Sequence, residues 1–390
     1  MILKLAFRNL RGAGLRTWIN VFILSLVYVT IVWFQAMYAG WMLQAERDTI
    51  QWEVGGGEAS LASYDRYDPF SWDDAHAPLP QSLRQLQEKG NAAPVLISSG
   101  VVYPHQRRHS VLLKGIDQRQ TVLHIPTDSM RVDDGTVPVL IGFRLARMLD
   151  VKQGDSFVLK WRSGSGTFDA ADVTVACIMD APLASIDAGQ MWLPLHELQR
   201  MKQLPGQATY VVAAQGMPVP QLPEGWRWQS TQDLLSDLRA IMKTESVGEY
   251  IIFALLTFMA MIAIFDTQVL ALFRRRKEMG TLLALGLTRR QLIGLFTLEG
   301  VLHAALGVLL AAVWGTPLLV YFGVAGWKMP DTMDQYGMAG MHDAVIFHYT
   351  PWLVLRAVLV VLCITTLVSW WPTRRIARLK PTDALRGKFS

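Results

Sequence analysis

Four long apolar stretches separate the polar parts of this chain. They are residues 17–45, 250–273, 291–322 and 351–371. The first carries no charge, and the others carry Asp266, the pair Glu299 and His303, and Arg356, respectively. About 20 apolar residues cross the hydrocarbon core of a bilayer, so each stretch is long enough for a membrane-spanning helix. The pattern predicts four transmembrane helices, of which the first is too long for a removed signal peptide.

The segment between the first two stretches, residues 46–249, has a different pattern. Short β-rich runs such as residues 110–113 and 173–178 alternate with helical runs such as residues 79–89 and 142–149. Pro, Gly and Asp separate these runs, as is typical of turns. The predicted fold class is therefore membrane α-helical, with four transmembrane helices and a mixed α/β extracytoplasmic domain inserted between helices 1 and 2.

A helical repeat precedes the second apolar stretch. Leu234, Leu235, Leu238, Ile241 and Met242 recur at helical spacing. The repeat fits a stalk that extends the second membrane helix above the bilayer, and it fits an ordinary helix of the inserted domain equally well.

Basic residues are concentrated in three short segments. Residues 1–16, 274–290 and 372–390 hold 16 of the 37 Lys and Arg residues and only two acids. Short loops rich in Lys and Arg stay in the cytoplasm. Residues 46–249 instead carry 25 acidic and 19 basic residues. We therefore expect both termini in the cytoplasm, and the net charge of +5 reflects membrane orientation rather than nucleic-acid binding.

Motifs for catalysis or metal binding are missing from the sequence. The Gly-rich turn at residues 163–167 lacks the lysine of a phosphate-binding loop, and His196-Glu197 lacks the second histidine of a zinc protease. Cys177 and Cys363 fall in different parts of the predicted topology, so we expect no disulfide framework and no thiolate metal site. We expect a non-catalytic chain whose energy source is a partner protein.

The loop after the second stretch carries the most informative pattern. A basic cluster at residues 274–277 holds the end of the helix at the membrane surface, and residues 279–285 can form a short amphipathic helix. Gly286 suits the left-handed position that ends such a helix. Thr288 suits an N-cap for the next one. The same pattern also fits an interfacial loop without a partner.

This loop resembles the coupling region of the FtsX-like permeases, the membrane subunits of the MacB and LolC/LolE type. The chain departs from the family pattern at Asp266, where Asn is usual, and at Arg274, where an acid is usual. The residues that match the pattern are Thr267, Arg275, Glu278, Gly280, Leu283, Ala284, Leu285 and Gly286.

Other segments extend the resemblance over nearly the whole chain. Residues 8–17 resemble the family's amphipathic N-terminal helix, and Glu299 with Gly300 and Gly307 resembles its third span. The C-terminal match consists of Pro372, Arg375, Ala377, Arg378, Pro381, Ala384, Leu385 and Arg386. Within the inserted domain, residues 115–117, 139–142 and 154–155, together with the outer loop at 337–347, resemble the lipoprotein-releasing LolC/LolE branch.

The resemblance implies the membrane subunit of an ABC transporter, paired with a second copy or a paralogue and docked on a separate ABC ATPase. ATP and Mg²⁺ would bind to that ATPase, and this chain would bind no cofactor and no nucleic acid. The residues expected to couple the two proteins are Arg275, Lys277, Glu278, Met279, Gly280, Leu282, Leu283, Leu285 and Gly286.

The apolar stretches, the basic segments and the resemblance together divide the chain into segments. In order, they are a cytoplasmic amphipathic helix (1–16), transmembrane helix 1 (17–45), a periplasmic α/β domain with a stalk (46–249), transmembrane helix 2 (250–273), the cytoplasmic coupling loop (274–290), transmembrane helix 3 (291–322), an outer loop (323–350), transmembrane helix 4 (351–371) and a cytoplasmic tail (372–390). The expected location is the bacterial inner membrane, in contact with its lipid.

Three functions stay open at this point. The complex can extract a lipoprotein or another amphipathic cargo from the membrane, as the LolC/LolE branch does. It can instead relay ATP-driven motion to a periplasmic partner without transport, as FtsX-type proteins do, or export drugs or peptides in the MacB manner. The resemblance of the inserted domain favours the first.

Asp266, Glu299 and His303 are ionisable residues inside predicted spans. Such residues are costly in a bilayer, face the interior of the helix bundle, and are functional candidates by default. Glu299 and His303 are four residues apart, so they share one face of a helix and can pair with each other. The alternative is that these residues hold helices together by hydrogen bonds.

Overall fold

The computed structural model describes residues 14–131, 135–274, 280–283, 285–328 and 344–376. Several predictions concern other residues and lie outside this range. They are the N-terminal helix up to residue 13, most of the outer loop, the C-terminal tail from residue 377, and the predicted coupling residues Arg275, Lys277, Glu278 and Met279.

The described part of the chain contains four long helices and an elaborate sheet. The helices are α1 (Leu15–Thr49), α2 (Pro69–Trp72), α3 (Gln81–Glu88), α4 (Phe143–Leu149), α5 (Ala184–Gly189), α6 (Leu195–Lys202), α7 (Thr231–Leu234), α8 (Ser236–Arg274), α9 (Arg289–Ala325) and α10 (Pro351–Ile376). The strands are β1 (Gly57–Leu61), β2 (Ala77–Pro78), β3 (Ala92–Tyr103), β4 (His109–Ile116), β5 (Val137–Gly142), β6 (Ser156–Arg162), β7 (Phe168–Met179), β8 (Gln190–Pro194), β9 (Gln207–Ala208), β10 (Tyr210–Ala213) and β11 (Trp226–Ser230).

The chain divides into two compact units. One consists of Met1–Trp41, Lys243–Trp327 and Val345–Ser390, and the other of Met42–Met242 and Lys328–Ala344. We call them the helical unit and the inserted domain.

Three helices among the described residues are long and apolar enough to cross a membrane: Thr17–Val54, Arg289–Ala325 and Pro351–Arg374. The first is α1 continued by a π-helical turn at Ile50–Val54. They correspond to the first, third and fourth predicted spans, whereas the second span stays a prediction. There the described helix α8 contains an apolar stretch at Tyr250–Met259.

Helix α8 is continuous over 39 residues, from Ser236 to Arg274. At 1.5 Å per residue it is roughly 58 Å long, well beyond the ~30 Å hydrocarbon core of a bilayer. Leu238, Ile241 and Met242 of the helical repeat therefore belong to the same helix as the second apolar stretch, whereas Leu234 ends α7 and Leu235 lies between the two helices. A continuous helix of this kind is what the stalk interpretation requires.

Small residues let α9 approach its neighbours closely. A Cβ added at Gly307 would lie 2.8 Å from the Cβ of Leu24 in α1, and one at Gly300 would overlap with Ser369 in α10. Ala304 and Ala311 on the same side of α9 are fully buried. Because lipid offers apolar side chains no advantage in packing together, close backbone approach is a main source of helix association in membranes.

The inserted domain is built on a mixed sheet, nine-stranded among the described residues, in the order β11-β1-β10-β3-β4-β8-β5-β7-β6. Strand β3 also pairs with β6, so the strands from β3 to β6 in this order close into a ring of six. Strand β3 can serve both neighbours because its start pairs with β10 at Ala92–Val95 and its end pairs with β6 at residues 100–103. Two pairings, β4 with β8 and β5 with β7, are parallel.

Alternation along the strands separates two hydrophobic cores. In β6, Phe157, Leu159 and Trp161 are buried while the intervening residues are exposed. These side chains join Leu96 and Val139 in one core, and a second core collects on another part of the sheet around Trp192. Full burial of one such side chain is worth about 1.5–3 kcal/mol, so the side chains enclosed by the ring stabilise the domain.

The four sequence segments used to predict a mixed α/β domain have the expected structure. Strands β4 and β7 contain residues 110–113 and 173–178, and helices α3 and α4 lie within 79–89 and 142–149.

Two glycines of the branch-like motifs, Gly115 and Gly142, have packing roles. A Cβ at Gly115 would lie 2.9 Å from the Cβ of Leu198, and one at Gly142 would overlap with the backbone of Asp187.

Candidate coupling segment and buried charged residues

The turn between α8 and α9 is closed by its own backbone. Residues 280–283 are helical, and Gly286 has a φ of +97°. The amide of Gly286 donates to the carbonyl of Leu283, at 3.1 Å, and the amide of Leu287 donates to that of Leu282, at 3.1 Å. This pair of bonds is the Schellman arrangement, and the positive φ explains why glycine occupies position 286. The predicted left-handed conformation of Gly286 is confirmed.

Thr288 begins the next helix as predicted. Its side chain accepts a hydrogen bond from the amide of Gln291, and the Gln291 side chain accepts one from the amide of Thr288, at 2.9 Å. This capping box satisfies two amides that would otherwise lack partners, and the loss of such a cap costs about 1 kcal/mol. The turn is therefore held from both sides by local hydrogen bonds.

The apolar residues of this turn face two ways. Leu282 and Leu283 pack against Leu292 and Phe296 of α9, so their side chains belong to the chain's own core. Leu285, in contrast, is 76% exposed. Of the coupling residues that the structure describes, Gly280 is buried and Leu285 offers apolar surface to a partner. The packing of Leu282 and Leu283 against α9 thus fixes the turn, and the exposed Leu285 is available for contact with a partner.

The ionisable residues of the predicted spans occupy two different environments. Glu299 and His303 are buried on α9. The His303 ring nitrogen Nδ1 lies 2.7 Å from the backbone carbonyl oxygen of Glu299, so this contact involves the main chain rather than the carboxylate. Asp266 on α8 is exposed on this single chain, in line with the exposed Ile262 and Phe258 one and two turns earlier. The structure therefore does not bring Asp266 together with the other two.

A cluster of charged residues is buried in the inserted domain, where the π-helical turn that follows α1 meets the sheet. Glu58 of β1 accepts a hydrogen bond from Arg66 at 2.7 Å, and its side chain is almost fully buried. The Nζ atom of Lys114 in β4 lies 3.8 Å from Oε1 of Glu53, a residue of that turn. The same Nζ lies 5.0 Å from the ring centroid of Trp192, which adds a cation–π contact.

The shifts in pKa follow from this burial. Burial raises the pKa of Glu58, and the nearby Arg66 and Lys114 partly oppose that effect. Burial lowers the pKa of Lys114, and Glu53 partly offsets it. The second oxygen of Glu58, Oε1, has no hydrogen-bond partner among the described residues. Arg66 therefore provides most of the favourable interaction that offsets the cost of burying the charged Glu58 carboxylate.

Sequence reasoning missed this cluster, although one signal was available. Lys114 is the one charged residue in the apolar strand β4, and Glu58 lies in a strand in which every residue is buried. Isolated charges within buried strands require partners. Their partners Glu53 and Arg66 could not be identified, since neither is marked by any motif.

Metal ligands are not grouped in the described part of the chain: no three His, Cys, Asp or Glu residues lie close enough together there to hold an ion.

Comparison with known families places the turn that contains Gly286 and Thr288 within a recognised domain. Residues 250–381 match the model of the FtsX-like permease C-terminal domain. The match contains the apolar part of α8, the turn with Gly286 and Thr288, α9 and α10. FtsX-like permeases are non-catalytic membrane subunits of ABC transporters and work with a separate ATPase. In its C-terminal part this chain is similar to those permeases, and this similarity, together with the apolar helices, indicates a membrane protein.

Proposed function

We propose that this chain is a permease subunit that converts ATP hydrolysis by a partner ATPase into movement of the inserted domain, in order to release a lipid-anchored or amphipathic cargo from the membrane. The observation that carries the proposal is the turn at residues 280–288, which lies inside the matched permease domain and exposes Leu285 on a rigid support. In this arrangement the turn faces the cytoplasm of a bacterium and the inserted domain faces the periplasm.

Movement would pass from the turn into α8 and α9. ATP binding draws two ATPase subunits together, and the ATPase must bind the turn differently in its two nucleotide states for work to be transmitted. Helix α8 is suited to carry this movement because it runs without interruption from Ser236 to Arg274. At its start, Arg239 forms a salt bridge with Glu46 near the end of α1, and Asp237 accepts a hydrogen bond from Tyr67 at 2.8 Å.

A second permease copy or a paralogue would complete the assembly. Asp266 supports this part of the proposal, because a carboxylate on the exposed side of a membrane helix would otherwise face lipid. Phe258 and Ile262 on the same stripe of α8 would pack in that contact.

The substitution Leu285→Arg tests the proposal. The variant should fold and reach the membrane, because the side chain is exposed, but a charge on the contact surface should weaken ATPase recruitment roughly 30-fold or more. Tagged full-length protein would be purified from membranes, and the co-purifying ABC ATPase would be quantified by mass spectrometry. Leu285→Met, which keeps the apolar surface, is the matched control and should recruit normally. Equal recovery of the ATPase with Leu285→Arg would refute the assignment of the turn.

A second substitution separates a functional role of Glu299 from a packing role. Glu299→Gln keeps the size of this buried side chain and removes its charge. We expect cargo release to fall several-fold while the permease–ATPase complex still assembles. The measurement compares release per assembled complex with the amount of complex recovered by size-exclusion chromatography. If the complex itself is lost, Glu299 acts in helix packing.

A further inference from the structure

The inserted domain has a groove of about 900 Å³ on the outer face of its strand ring. Strands β3, β4 and β6 lie beneath it, and α2 and the start of β7 flank it. Side chains alternate along these strands, so Val101 and Leu112 point into the groove while Val102 and Leu113 are fully buried. We call this feature the ring groove.

The base and wall of the ring groove are largely apolar. Val101, Leu112 and Trp72 are partly exposed there, and Phe168 at the start of β7 is 81% exposed. Its volume is within the ~300–1,000 Å³ range of ligand pockets. An exposed apolar surface of this kind marks a site of interaction.

The polar groups of the ring groove are dominated by cations. Arg108, Lys160 and Arg162 line it, all three are exposed, and none of them forms a salt bridge with a carboxylate in the described part of the chain. The one carboxylate in the lining, Asp73, is already paired with Lys202 at 2.9 Å. The groove therefore offers three cations for an anion beside an apolar surface.

Strand β3 in the floor of the groove offers no free edge for pairing. Strand β3 is hydrogen-bonded to β4 on one side and to β6 on the other. A peptide could not extend the sheet at β3, because that mode of binding needs an exposed strand edge. An acyl chain needs no hydrogen bonds, so it suits such a surface better than a peptide does.

We propose that the ring groove binds one anionic phospholipid-like molecule, with its acyl chain against Val101, Leu112 and Phe168 and its phosphate between Arg108, Lys160 and Arg162. This site gives the amphipathic cargo a binding position on the inserted domain, and that role as a cargo site rests on the proposed function. The binding itself follows from the groove and needs no ATPase.

The test is photolabelling of the full-length protein in a neutral detergent. The probe is a phosphatidylglycerol with a photoreactive group on one acyl chain, and labelled residues are located by mass spectrometry. We expect labelling on the strands that line the groove, and much weaker labelling by a phosphatidylcholine probe with the same chain. The double variant Lys160→Gln/Arg162→Gln should weaken binding roughly 10- to 30-fold, because each cation near a lipid headgroup contributes about a tenfold effect or less.

The matched control is Arg147→Gln/Lys152→Gln, which removes one arginine and one lysine from exposed positions outside the groove. The lipid probe should label this variant to the same extent as the unmodified protein. Equal loss in both double variants, equal labelling by the two lipids, or competition by a soluble acidic peptide but not by phosphatidylglycerol would each overturn the proposal.

The outcome also separates this inference from the proposed function. If groove labelling fails while Leu285→Arg still abolishes ATPase recruitment, the lipid site is wrong and the permease assignment stands. If Leu285→Arg has no effect while labelling is confined to the groove, the coupling turn is wrong and the lipid site stands.

Discussion

Replacing Arg66 with methionine is expected to destabilise the inserted domain by about 3–5 kcal/mol near neutral pH, the usual cost of leaving a buried charge without its partner. Arg66 donates to Glu58 at 2.7 Å, and the side chain of Glu58 is 1% exposed. The measurement is urea unfolding of the full-length protein in a mild detergent, followed by tryptophan fluorescence.

The pH dependence of this variant has a defined sign. Burial already raises the pKa of Glu58 in the folded domain, and the loss of Arg66 raises it further. A carboxyl group with a raised folded-state pKa favours folding when it is protonated, and it loses that contribution as the pH rises through the folded-state value. The deficit of Arg66→Met should therefore shrink in mildly acidic solution and be largest at neutral and basic pH.

Two controls define the Arg66 experiment. Arg147→Met removes an exposed arginine of the same domain and should change stability little. The double variant Arg66→Met/Glu58→Met removes both partners, and replacement of a buried ion pair by apolar side chains is often neutral or stabilising. A loss that is independent of pH, or a double variant no better than the single one, would contradict the role given to this pair.

Replacing Gly300 with alanine should loosen the contact between α9 and α10. The added methyl group would overlap with the Oγ atom of Ser369, and overpacking of this kind costs about 1–3 kcal/mol. The result is expected even though alanine is the better helix former by about 1 kcal/mol. The measurement is the midpoint of thermal aggregation of the full-length protein in detergent.

The matched control for Gly300 lies on the same helix. A Cβ at Gly294 would meet nothing within 4 Å, so Gly294→Ala should leave the midpoint unchanged or raise it. The double variant Gly300→Ala/Ser369→Gly moves the small residue from one helix to the other and should recover most of the loss. Should Gly300→Ala behave like Gly294→Ala, the close contact of the two helices would be wrong.

The predictions from sequence were most successful where the determining interactions are local. Gly286 ends its helical turn and Thr288 caps the next helix through bonds to residues at most five positions away, so residue type and spacing were sufficient. Three of the four apolar stretches form long apolar helices for the same reason, because the hydrogen bonds of a helix stay within the segment. The strands at residues 110–113 and 173–178 were predicted from their β-rich composition, but the strands with which they pair were not predicted.

Other features depend on contacts between distant parts of the chain. The closure of β3 on β6 joins strands separated by more than 50 positions, and no alternation pattern specifies which strands pair. Glu53, Glu58, Arg66 and Lys114 come from separate segments, and β10 and β3 lie between the strands of Glu58 and Lys114. Only the folded sheet therefore brings these charges within range of one another. The apolar residues of the turn between α8 and α9 also differ in burial: Leu283 packs against α9, whereas Leu285 is exposed. The helical periodicity of the sequence did not predict this difference.

The sequence by itself determined the apolar segments, the distribution of basic residues around them, and the turn chemistry between α8 and α9, because each depends on neighbours along the chain. Only the tertiary structure decided which charges are buried together, which glycines lie at helix contacts, and where cations and apolar side chains share one groove. Those properties arise from the pairing of strands and helices far apart in sequence, and the free energy of burial is defined only once that pairing exists.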